Sequence, residues 1–335
     1  MSRRPGLQVE ESRRTLGTLF APIQAELAEA ERIFQDELSS RFPFVQALVE
    51  HCGDYQGKRL RPALVLLSAK ACGRITDDHP VLAAVVEMIH TAPLVHDDVL
   101  DESLVRRHAA TVNAEWGNET AVLLGDYMFT HAFHLAASLD STRACRWIGR
   151  ATNKLCEGEM QQVHHRGNLD LDEASYFAII EGKTAELTAV SCQLGAHYAG
   201  ADDEVCDALD RYGRNLGIAF QIADDVLDIW GEERATGKSL GTDIEKQKLT
   251  IPIIRLLETG EPETVELARR LLNEAKAESR RRLRPLLEES GALDYSWKKA
   301  RRHVQQAIDA LDVLPPSDSK SVLVVLAEYV VHRTS

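Results

Sequence analysis

Residues 87–103 read EMIHTAPLVHDDVLDES, and residues 216–230 read LGIAFQIADDVLDIW. Both stretches contain the acidic pentapeptide DDVLD, which begins at Asp97 in the first and at Asp224 in the second. The neighbouring residues are apolar at helical spacing, which predicts two largely buried helices. Because an unpaired carboxylate is costly in apolar surroundings, the six aspartates require cations.

The spacing within each motif is typical of a metal site. Residues four apart project from one helix face, so Asp97 lies beside Asp101 and Asp224 lies beside Asp228. We expect these two oxygen-rich edges to face each other across a cleft. Carboxylates without cysteine suit a hard ion such as Mg²⁺, which keeps several waters and bridges to substrate phosphates. The alternative, that the acidic pairs only cap or solubilise helices, is weakened by two identical copies in apolar surroundings.

Composition limits the class of protein. The chain has 335 residues, 44% of them hydrophobic, which is enough for a large core. Its 52 acidic and 39 basic residues give a net charge of −13, which argues against general nucleic-acid binding. The six cysteines form no CxxC pair, which indicates free thiols in a reducing cytosol. No apolar run reaches the length of a membrane span, and the N-terminus lacks a secretory signal, so we expect a cytoplasmic protein.

Helical periodicity runs through almost the whole chain, and alternating strand patterns are essentially missing. Residues 173–200, EASYFAIIEGKTAELTAVSCQLGAHYAG, keep this period throughout, which predicts one continuous helix. We therefore predict one all-α domain, residues 1–335, a helical bundle with about ten helices and a central cleft. Residues 1–20 are expected to form an N-terminal arm without fixed structure. Residues 231–250, GEERATGKSLGTDIEKQKLT, are rich in glycine and charge, which favours a lid loop over the cleft.

Several basic residues could complete the site, and they lie before the first acidic motif, between the two motifs or on the predicted lid: Lys58, Arg61, Arg106, Arg107, Lys183, Lys238 and Lys248. A lone Lys or Arg is usually a solvated surface charge, so their joint occurrence carries the argument. Guanidinium groups bind phosphate oxygens bidentately, and Arg106 and Arg107 are close enough to the first motif to clasp the same bound group. The run Arg280, Arg281, Arg282 and Arg284 has acidic neighbours instead, which predicts a solvated helix face.

Taken together, these motifs resemble the trans-isoprenyl diphosphate synthases, also called polyprenyl synthetases, and most closely the long-chain members that make quinone side chains. The resemblance extends from near Gly57 to the C-terminal LAEYVVHR. It is carried by DDxxD occurring twice, GKxxRP upstream, RR after the first motif, KT between the motifs, and GxDxxxxKxT on the predicted lid. It implies the all-α isoprenoid-synthase bundle, a homodimer through apolar helices around residues 120–140, and a prenyltransferase.

In such enzymes three Mg²⁺ ions hold an allylic diphosphate, and isopentenyl diphosphate binds beside it. By resemblance, the principal metal ligands are Asp97, Asp101 and Asp224, with Asp98, Asp225 and Asp228 ligating or supporting them. The residues implied for the allylic diphosphate are Arg106, Lys183 and Lys238, with Lys248 also on the lid. Those implied for isopentenyl diphosphate are Lys58, Arg61, His90 and Arg107. Thr184 and Gln221 would line the reacting carbons.

The implied chemistry needs no nucleophilic side chain. Cations stabilise the departing diphosphate, the C–O bond ionises to an allylic cation, and the double bond of the second substrate attacks it. The released diphosphate takes the proton, so neither His96 nor His90 is assigned as a general base. His90 lies seven residues before Asp97 on nearly the same helical stripe, which favours a ligand-facing donor. The alternative is a core histidine bonded to a backbone carbonyl.

Product length depends on side chains just before the first motif. Ala92 and Pro93 occupy the fifth and fourth positions upstream of Asp97, and neither is aromatic, so the product tunnel should continue. We predict a product of roughly thirty to fifty carbons by analogy with the family. Phe133 is a candidate floor, with an ordinary core aromatic as the alternative. Pro93 removes one helical hydrogen bond, to Ile89, and should bend the helix.

Other functions fit less of the sequence. A shorter-chain farnesyl or geranylgeranyl diphosphate synthase shares every motif and differs only in product length. An all-α histidine-aspartate metal phosphohydrolase would use the doublet His96-Asp97, but it leaves the second DDVLD unexplained. A terpene cyclase normally carries an Asn/Ser/Glu-type second motif. A regulatory subunit would be favoured only if motif residues were missing, and none is.

Overall fold

The computed structural model describes residues 17–53, 57–106, 109–231, 241–274 and 277–332. These residues are almost entirely helical, and the prediction of an all-α fold is confirmed. Arg107 and Lys238 lie outside the described residues. Of the predicted N-terminal arm, residues 17–19 are helical and the Phe20 ring is buried in the core, whereas the rest of the predicted arm lies outside the described residues.

The helices vary widely in length, from four to 28 residues. The α-helices are α1 Gln24–Leu38, α2 Pro43–Gly53, α3 Leu60–Ala71, α4 Asp78–Leu100, α5 Val112–Trp116, α6 Asn118–Ala137, α7 Arg143–His164, α8 Glu173–Ile180, α9 Glu186–Tyr198, α10 Asp203–Trp230, α11 Thr242–Glu245, α12 Ile251–Thr259, α13 Pro262–Glu274, α14 Ala277–Glu289, α15 Ala292–Ala310 and α16 Asp318–His332. Short 3₁₀ turns span Ala21–Ile23 and Leu311–Val313, and a π-helical turn spans Glu181–Ala185. Two-residue antiparallel strands, β1 Val105–Arg106 and β2 Ala109–Ala110, follow the first acidic motif.

Local sequence signals explain where several helices begin. The Asp172 side chain accepts a hydrogen bond from the backbone N–H of Ser175, 2.7 Å away, which caps α8. Asp202 caps α10 in the same way through the N–H of Val205, at 2.9 Å. Gly200, at φ +85°, reverses the chain between α9 and α10, a backbone conformation that favours glycine.

The two helices that carry the acidic motifs are the central ones. Helix α4 packs against α1, α3 and α6, and helix α10 packs against α9 and α15. One apolar cluster joins α3, α4 and α6 to α9 and α10, and a second joins α8 and α10 to the C-terminal helices. Both motifs therefore sit on scaffolds that are buried along most of their length. Among the described helices, none combines the length and apolar character that a bilayer span requires.

The structure corrects the predicted elements in two places. It holds more helices than the ten expected, partly because the continuous helix predicted over residues 173–200 is divided by the π-helical turn. The predicted lid is irregular only in part, because α11 lies within it. Helix α4 runs through Pro93, and the bend expected there stays a prediction.

The interpretation of the arginine run as a solvated face is wrong for two of its members. Arg280 and Arg284 of α14 are half-buried, and each donates to the carbonyl oxygens of Ile229 and Gly231, at 2.6 to 3.1 Å. These carbonyls lie at the C-terminal end of α10, where helical acceptors lack partners and positive charge is stabilising. Arg281 and Arg282 are exposed as expected.

Replacing both arginines by methionine should weaken this end of α10. The variant Arg280→Met with Arg284→Met should lower the free energy of unfolding by about 1–2 kcal/mol, because the carbonyls lose charged donors. Urea unfolding followed by circular dichroism measures the change. Arg281→Met, an exposed neighbour, is the control and should leave the midpoint in place; an equal loss in the control would contradict the assignment.

Candidate functional site

The second aspartate of each acidic motif is the buried one. Asp98 is 1% exposed and Asp225 is 3% exposed. Arg106 binds Asp98 through a fork of hydrogen bonds at 2.8 to 3.0 Å. Asp225 accepts hydrogen bonds from the Tyr176 hydroxyl at 2.6 Å and from Gln221 Nε2 at 2.8 Å. These two carboxylates are thus held inside the protein, whereas the first and fifth aspartates of each motif are half-buried.

Cations from three other elements surround the outer aspartates of the first motif. Lys183 Nζ lies 3.6 Å from Asp97. The Asp101 carboxylate forms ion pairs with Lys246 at 2.8 Å, with Lys248 at 3.3 Å and with Arg166 at 2.8 Å. Burial alone would raise the pKa of Asp101, but the hydrogen bonds and charges of Lys246 and Lys248 outweigh it and hold that pKa below its usual value.

The second motif contacts the second half of the predicted lid segment. Asp228 accepts hydrogen bonds from the backbone N–H of Gly241 at 3.1 Å and of Asp243 at 3.3 Å. This brings the Asp243 carboxylate against the motif. Burial and the charge of Asp228 raise the pKa of Asp243 to about 7. Burial also raises the pKa of Asp228, and burial with the nearby Asp243 raises that of Asp225.

Two lysines link the acidic motifs. Lys183 and Lys248, which bind aspartates of the first motif, also interact electrostatically with Asp243 beside the second. Both lysines line a cavity together with Thr184, Gln221, Asp225 and Asp243 and with apolar and polar neighbours. The arrangement of the outer aspartates as two edges that face each other across this cavity stays a prediction.

A chain of hydrogen bonds joins the predicted reacting-end residues to the second motif. The Thr184 hydroxyl donates to Gln221 Oε1 at 2.9 Å, and Gln221 in turn donates to Asp225. Lys183, next to Thr184, binds Glu159 at 2.7 Å and Gln162 at 2.9 Å. Burial lowers the pKa of Lys183, but the charges of Asp97 and Glu159 outweigh it, so the net pKa is raised and the ammonium stays charged.

The residues predicted to hold the second substrate lie around α3, α4 and the C-terminal helix. The exposed Lys58 ammonium lies 5.9 Å from the centroid of the Tyr329 ring on α16. Arg61 is enclosed near Glu87, and burial lowers its pKa while the Glu87 charge opposes this. His90 is half-buried on α4, about two turns before Asp97.

The His96 ring packs on the neighbouring helix, α6. Its Nε2 lies 3.1 Å from the carbonyl oxygen of Val122, and its ring centroid is 6.0 Å from that of Phe129. A Cβ at Gly125 would lie 2.1 Å from His96 Nε2, so the ring packs directly on the α6 backbone. The His96-Asp97 doublet therefore has no metal-binding geometry, which removes the support for a phosphohydrolase.

Strained backbone marks the functional segments. Among the described residues, positive φ outside glycine occurs at Arg59, Glu102 and Gln247, with values between 49° and 54°. Arg59 stands beside Lys58, Glu102 follows Asp101, and Gln247 precedes Lys248. Such conformations cost free energy and cluster at functional sites.

Several residues of the cleft were not predicted from the sequence, and they are Glu159, Gln162, Arg166, Tyr176, Asp243 and Lys246. Only Asp243 had a signal, because it is the aspartate of the GxDxxxxKxT pattern. Glu159, Gln162, Arg166 and Tyr176 come from α7, the turn after it and α8, and Lys246 directly follows α11. Only the fold brings these residues to the motifs.

The donor set fits a hard divalent cation. Asp225, Asp228 and Asp243 are acidic groups crowded in a buried site, where added positive charge would relieve their repulsion. Within the described part of the chain, no three His, Cys, Asp or Glu side chains converge as a closed cage. An ion that keeps waters and shares its coordination with substrate phosphates needs no such cage.

The proposed chain-length residues lie on α4 and α6. Ala92 is fully buried and Pro93 is half-buried. Phe133 is half-buried in the core and faces α7, because a Cβ at Gly149 would lie 3.9 Å from Phe133 Cε1. The floor assignment of Phe133 stays a prediction.

An all-α bundle that brings two DDxxD motifs and several cations to one cleft is the architecture of a prenyltransferase acting on isoprenoid diphosphates. The chain belongs to the polyprenyl synthetase family, whose model matches residues 43–289.

Similar proteins are known in sequence and in structure. Octaprenyl diphosphate synthase of Haemophilus influenzae is 39% identical, over 89% of this chain and 91% of that protein. All-trans-nonaprenyl-diphosphate synthase (geranyl-diphosphate specific) of Rhodobacter capsulatus is 36% identical, over 94% of this chain and 97% of that protein. The crystal structure of polyprenyl synthase from Caulobacter crescentus, complexed with calcium and isoprenyl diphosphate, has a TM-score of 0.90 and 37% identity, and covers 96% of this chain and 98% of that one.

Asp243 should contribute to metal binding. The variant Asp243→Asn keeps the size of the side chain but removes its charge, so the Mg²⁺ concentration for half-maximal activity should rise about 10- to 100-fold. Titration of activity with Mg²⁺ measures the shift. Glu245→Gln, an exposed acid on the same helical turn, is the matched control, and a shift of similar size there would count against a specific role.

Proposed function

We propose that the chain is a Mg²⁺-dependent, long-chain trans-polyprenyl diphosphate synthase, which condenses isopentenyl diphosphate head-to-tail onto an allylic diphosphate. The observation that carries this proposal is the meeting of both DDVLD motifs in one cleft with Lys183 and Lys248. Two acidic edges with lysines between them match a ligand that is itself anionic and bound through divalent ions.

The side chains divide into two binding regions. Lys183, with its raised pKa, and Lys248 present positive charge to the leaving diphosphate. Lys58, Arg61 and His90 would hold isopentenyl diphosphate beside it. Thr184 and Gln221, tied to each other at 2.9 Å, would face the reacting carbons.

The reaction then follows from charge. Three Mg²⁺ ions, held by the outer aspartates Asp97, Asp101, Asp224 and Asp228, would supply Lewis-acid stabilisation of the leaving group. Lys183 stabilises the same negative charge as the C–O bond ionises, which is where most catalytic free energy lies. The double bond of isopentenyl diphosphate attacks the allylic cation, and the diphosphate released takes the proton.

The product should be long, between about thirty and fifty carbons, by analogy with the family. Two observations support this length. Ala92 and Pro93, just above the cleft end of α4, leave no aromatic side chain there. The similar proteins from Haemophilus influenzae and Rhodobacter capsulatus are named octaprenyl and nonaprenyl diphosphate synthases.

A homodimer is part of the proposal. Helix α6 exposes Val122 (42%) and Leu123 (68%), and Leu104 and Val105 near the first motif are 67% and 66% exposed. Apolar side chains on one face of a helix suit an isologous contact with a second copy of the chain. Sedimentation should give the mass of two chains, and Leu123→Glu should shift it towards one; a monomeric wild type would reject this part.

The central test is an elongation assay. The protein is incubated with farnesyl diphosphate, isopentenyl diphosphate and Mg²⁺, and the products are sized. Elongated all-trans diphosphates are expected; cyclised hydrocarbons would indicate a terpene cyclase, and phosphate release alone a phosphohydrolase. Asp97→Ala and Asp224→Ala should each slow elongation about 100- to 1000-fold. Asp207→Ala, an exposed aspartate on the same helix as Asp224, should keep the wild-type rate.

Product length tests the tunnel floor. Phe133→Ala should lengthen the product, because removing the ring opens space at the far end of the tunnel. Chromatography of the dephosphorylated products gives the length distribution. Phe34→Ala removes an equal volume from another half-buried phenylalanine, on α1, and should leave the distribution unchanged. Unchanged length in Phe133→Ala would make Phe133 an ordinary core residue.

A further inference from the structure

The segment that carries Lys183 and Thr184 departs from regular helix. Glu181–Ala185 forms a π-helical turn between α8 and α9. Such turns are rare, and they occur mostly as single insertions in α-helices at functional sites. Because each residue of an α-helix turns the side-chain direction by about 100°, an inserted residue changes which side chains share a face. The direction of Lys183 and Thr184 therefore depends on what maintains the π turn.

Two glycines bring the π turn into direct backbone contact with α7. A Cβ at Gly182 would lie 2.7 Å from the carbonyl oxygen of Lys154, and a Cβ at Gly158 would lie 2.7 Å from the backbone nitrogen of Lys183. Both obstacles are backbone atoms, which cannot move aside as a flexible side chain can. The crossing of Gly158 and Gly182 thus admits no side chain on either partner.

An ionic cluster ties the two ends of the π turn together. Arg214 of α10 binds Glu181, the first residue of the turn, at 3.0 Å, and Glu186, the residue after its last, at 2.6 Å. Glu186 also forms an ion pair with Lys154 at 3.1 Å, and the Glu186 side chain is only 3% exposed. Burial would raise the pKa of Glu186, but Arg214 and Lys154 outweigh it and hold that pKa below its usual value.

The cluster and the site residues have different partners on the same two helices, α7 and α10. Glu181 and Glu186 point to Arg214, which is further anchored by Asp210 at 3.1 Å. Lys183 points instead to Glu159, Gln162 and Asp97, and Thr184 points to Gln221. A buried ion pair is weak evidence for stability, because desolvation offsets the attraction. Because Arg214 binds residues at both ends of the π turn, the ion pairs indicate a role in fixing the conformation of the turn.

We propose that Arg214, Glu186 and the Gly158–Gly182 crossing form a clamp that maintains the π turn and thereby positions Lys183 and Thr184 towards the allylic diphosphate. The inference rests on the proposed function for the role of Lys183 and Thr184. Arg214 and Glu186 are positioning residues, because they act on the substrate only through the turn.

The first test separates the two substrates. The double variant Arg214→Met with Glu186→Gln removes both charges together, so the fully buried position 186 keeps no unpaired carboxylate, and the remaining partners Asp210 and Glu181 are partly exposed. The specificity constant for farnesyl diphosphate should fall about 100-fold, as expected for a displacement near 1 Å at a reacting group. The KM for isopentenyl diphosphate should stay unchanged, because its residues lie on α3 and α4. Arg214→Lys, which keeps one charge, should recover part of the loss.

The second test acts through the backbone. Gly182→Ala places a methyl group against the Lys154 carbonyl and should reproduce the same split between the two substrates. Gly149→Ala is the matched control on α7, because its Cβ would meet only Phe133 Cε1 at 3.9 Å, an ordinary contact. This control should keep wild-type kinetics. If the double variant does not fold, as judged by circular dichroism, the comparison of Gly182→Ala with Gly149→Ala decides.

The outcomes separate the clamp from the function. A wild-type protein that elongates, with folded clamp variants that keep wild-type kinetics, would overturn the clamp alone. Equal losses for both substrates, with a lowered melting temperature, would show a merely structural role and also overturn it. A wild-type protein that fails to elongate isopentenyl diphosphate would instead reject the proposed function.

Discussion

The repulsion among carboxylates in one cleft is the interaction on which the rest of the structure depends. Asp225, Asp228 and Asp243 lie close enough, and buried enough, that each has a raised pKa. Such a cluster is stable only if positive charge is supplied, and the fold supplies it from distant elements through Lys183 and Lys248. The long buried helix α10 holds Asp225 and Asp228, and the hydrogen bonds from Gly241 and Asp243 to Asp228 hold α11 against it, so the repulsion is relieved by cations rather than by movement of the backbone.

The parts of the site that the sequence could predict are those encoded by local repetition. Two identical pentapeptides in apolar helices indicated a shared site, and Lys183 lies against Asp97 of the first and interacts with Asp243 beside the second. The partners of those aspartates could not be predicted in the same way. Arg166, Lys246 and Tyr176 reach the motifs from segments far along the chain, and no periodicity reports which distant side chains will meet.

Two errors have the same physical origin. The neighbouring glutamates of Arg280 and Arg284 favoured a solvated face, but the carbonyls of Ile229 and Gly231 compete for those guanidinium groups from another helix. The continuous helix predicted across residues 173–200 ignored Gly182, although glycine inside a helical pattern often marks close backbone approach. In both cases tertiary contact overruled a local pattern.

The three cations gathered on Asp101 bear on the metal binding proposed for the first motif. Arg166, Lys246 and Lys248 already neutralise this carboxylate, so a metal ion bound there would exchange with resident charges instead of adding to an unpaired ligand. The displaced ammonium groups would then be available to phosphate oxygens. Coupling between two binding sites is reciprocal. An anion bound to those ammonium groups would therefore strengthen metal binding at Asp101, and metal binding would strengthen anion binding by the same factor. The protein without ligand thus already carries, next to Asp101, the positive charge that an anionic ligand would need.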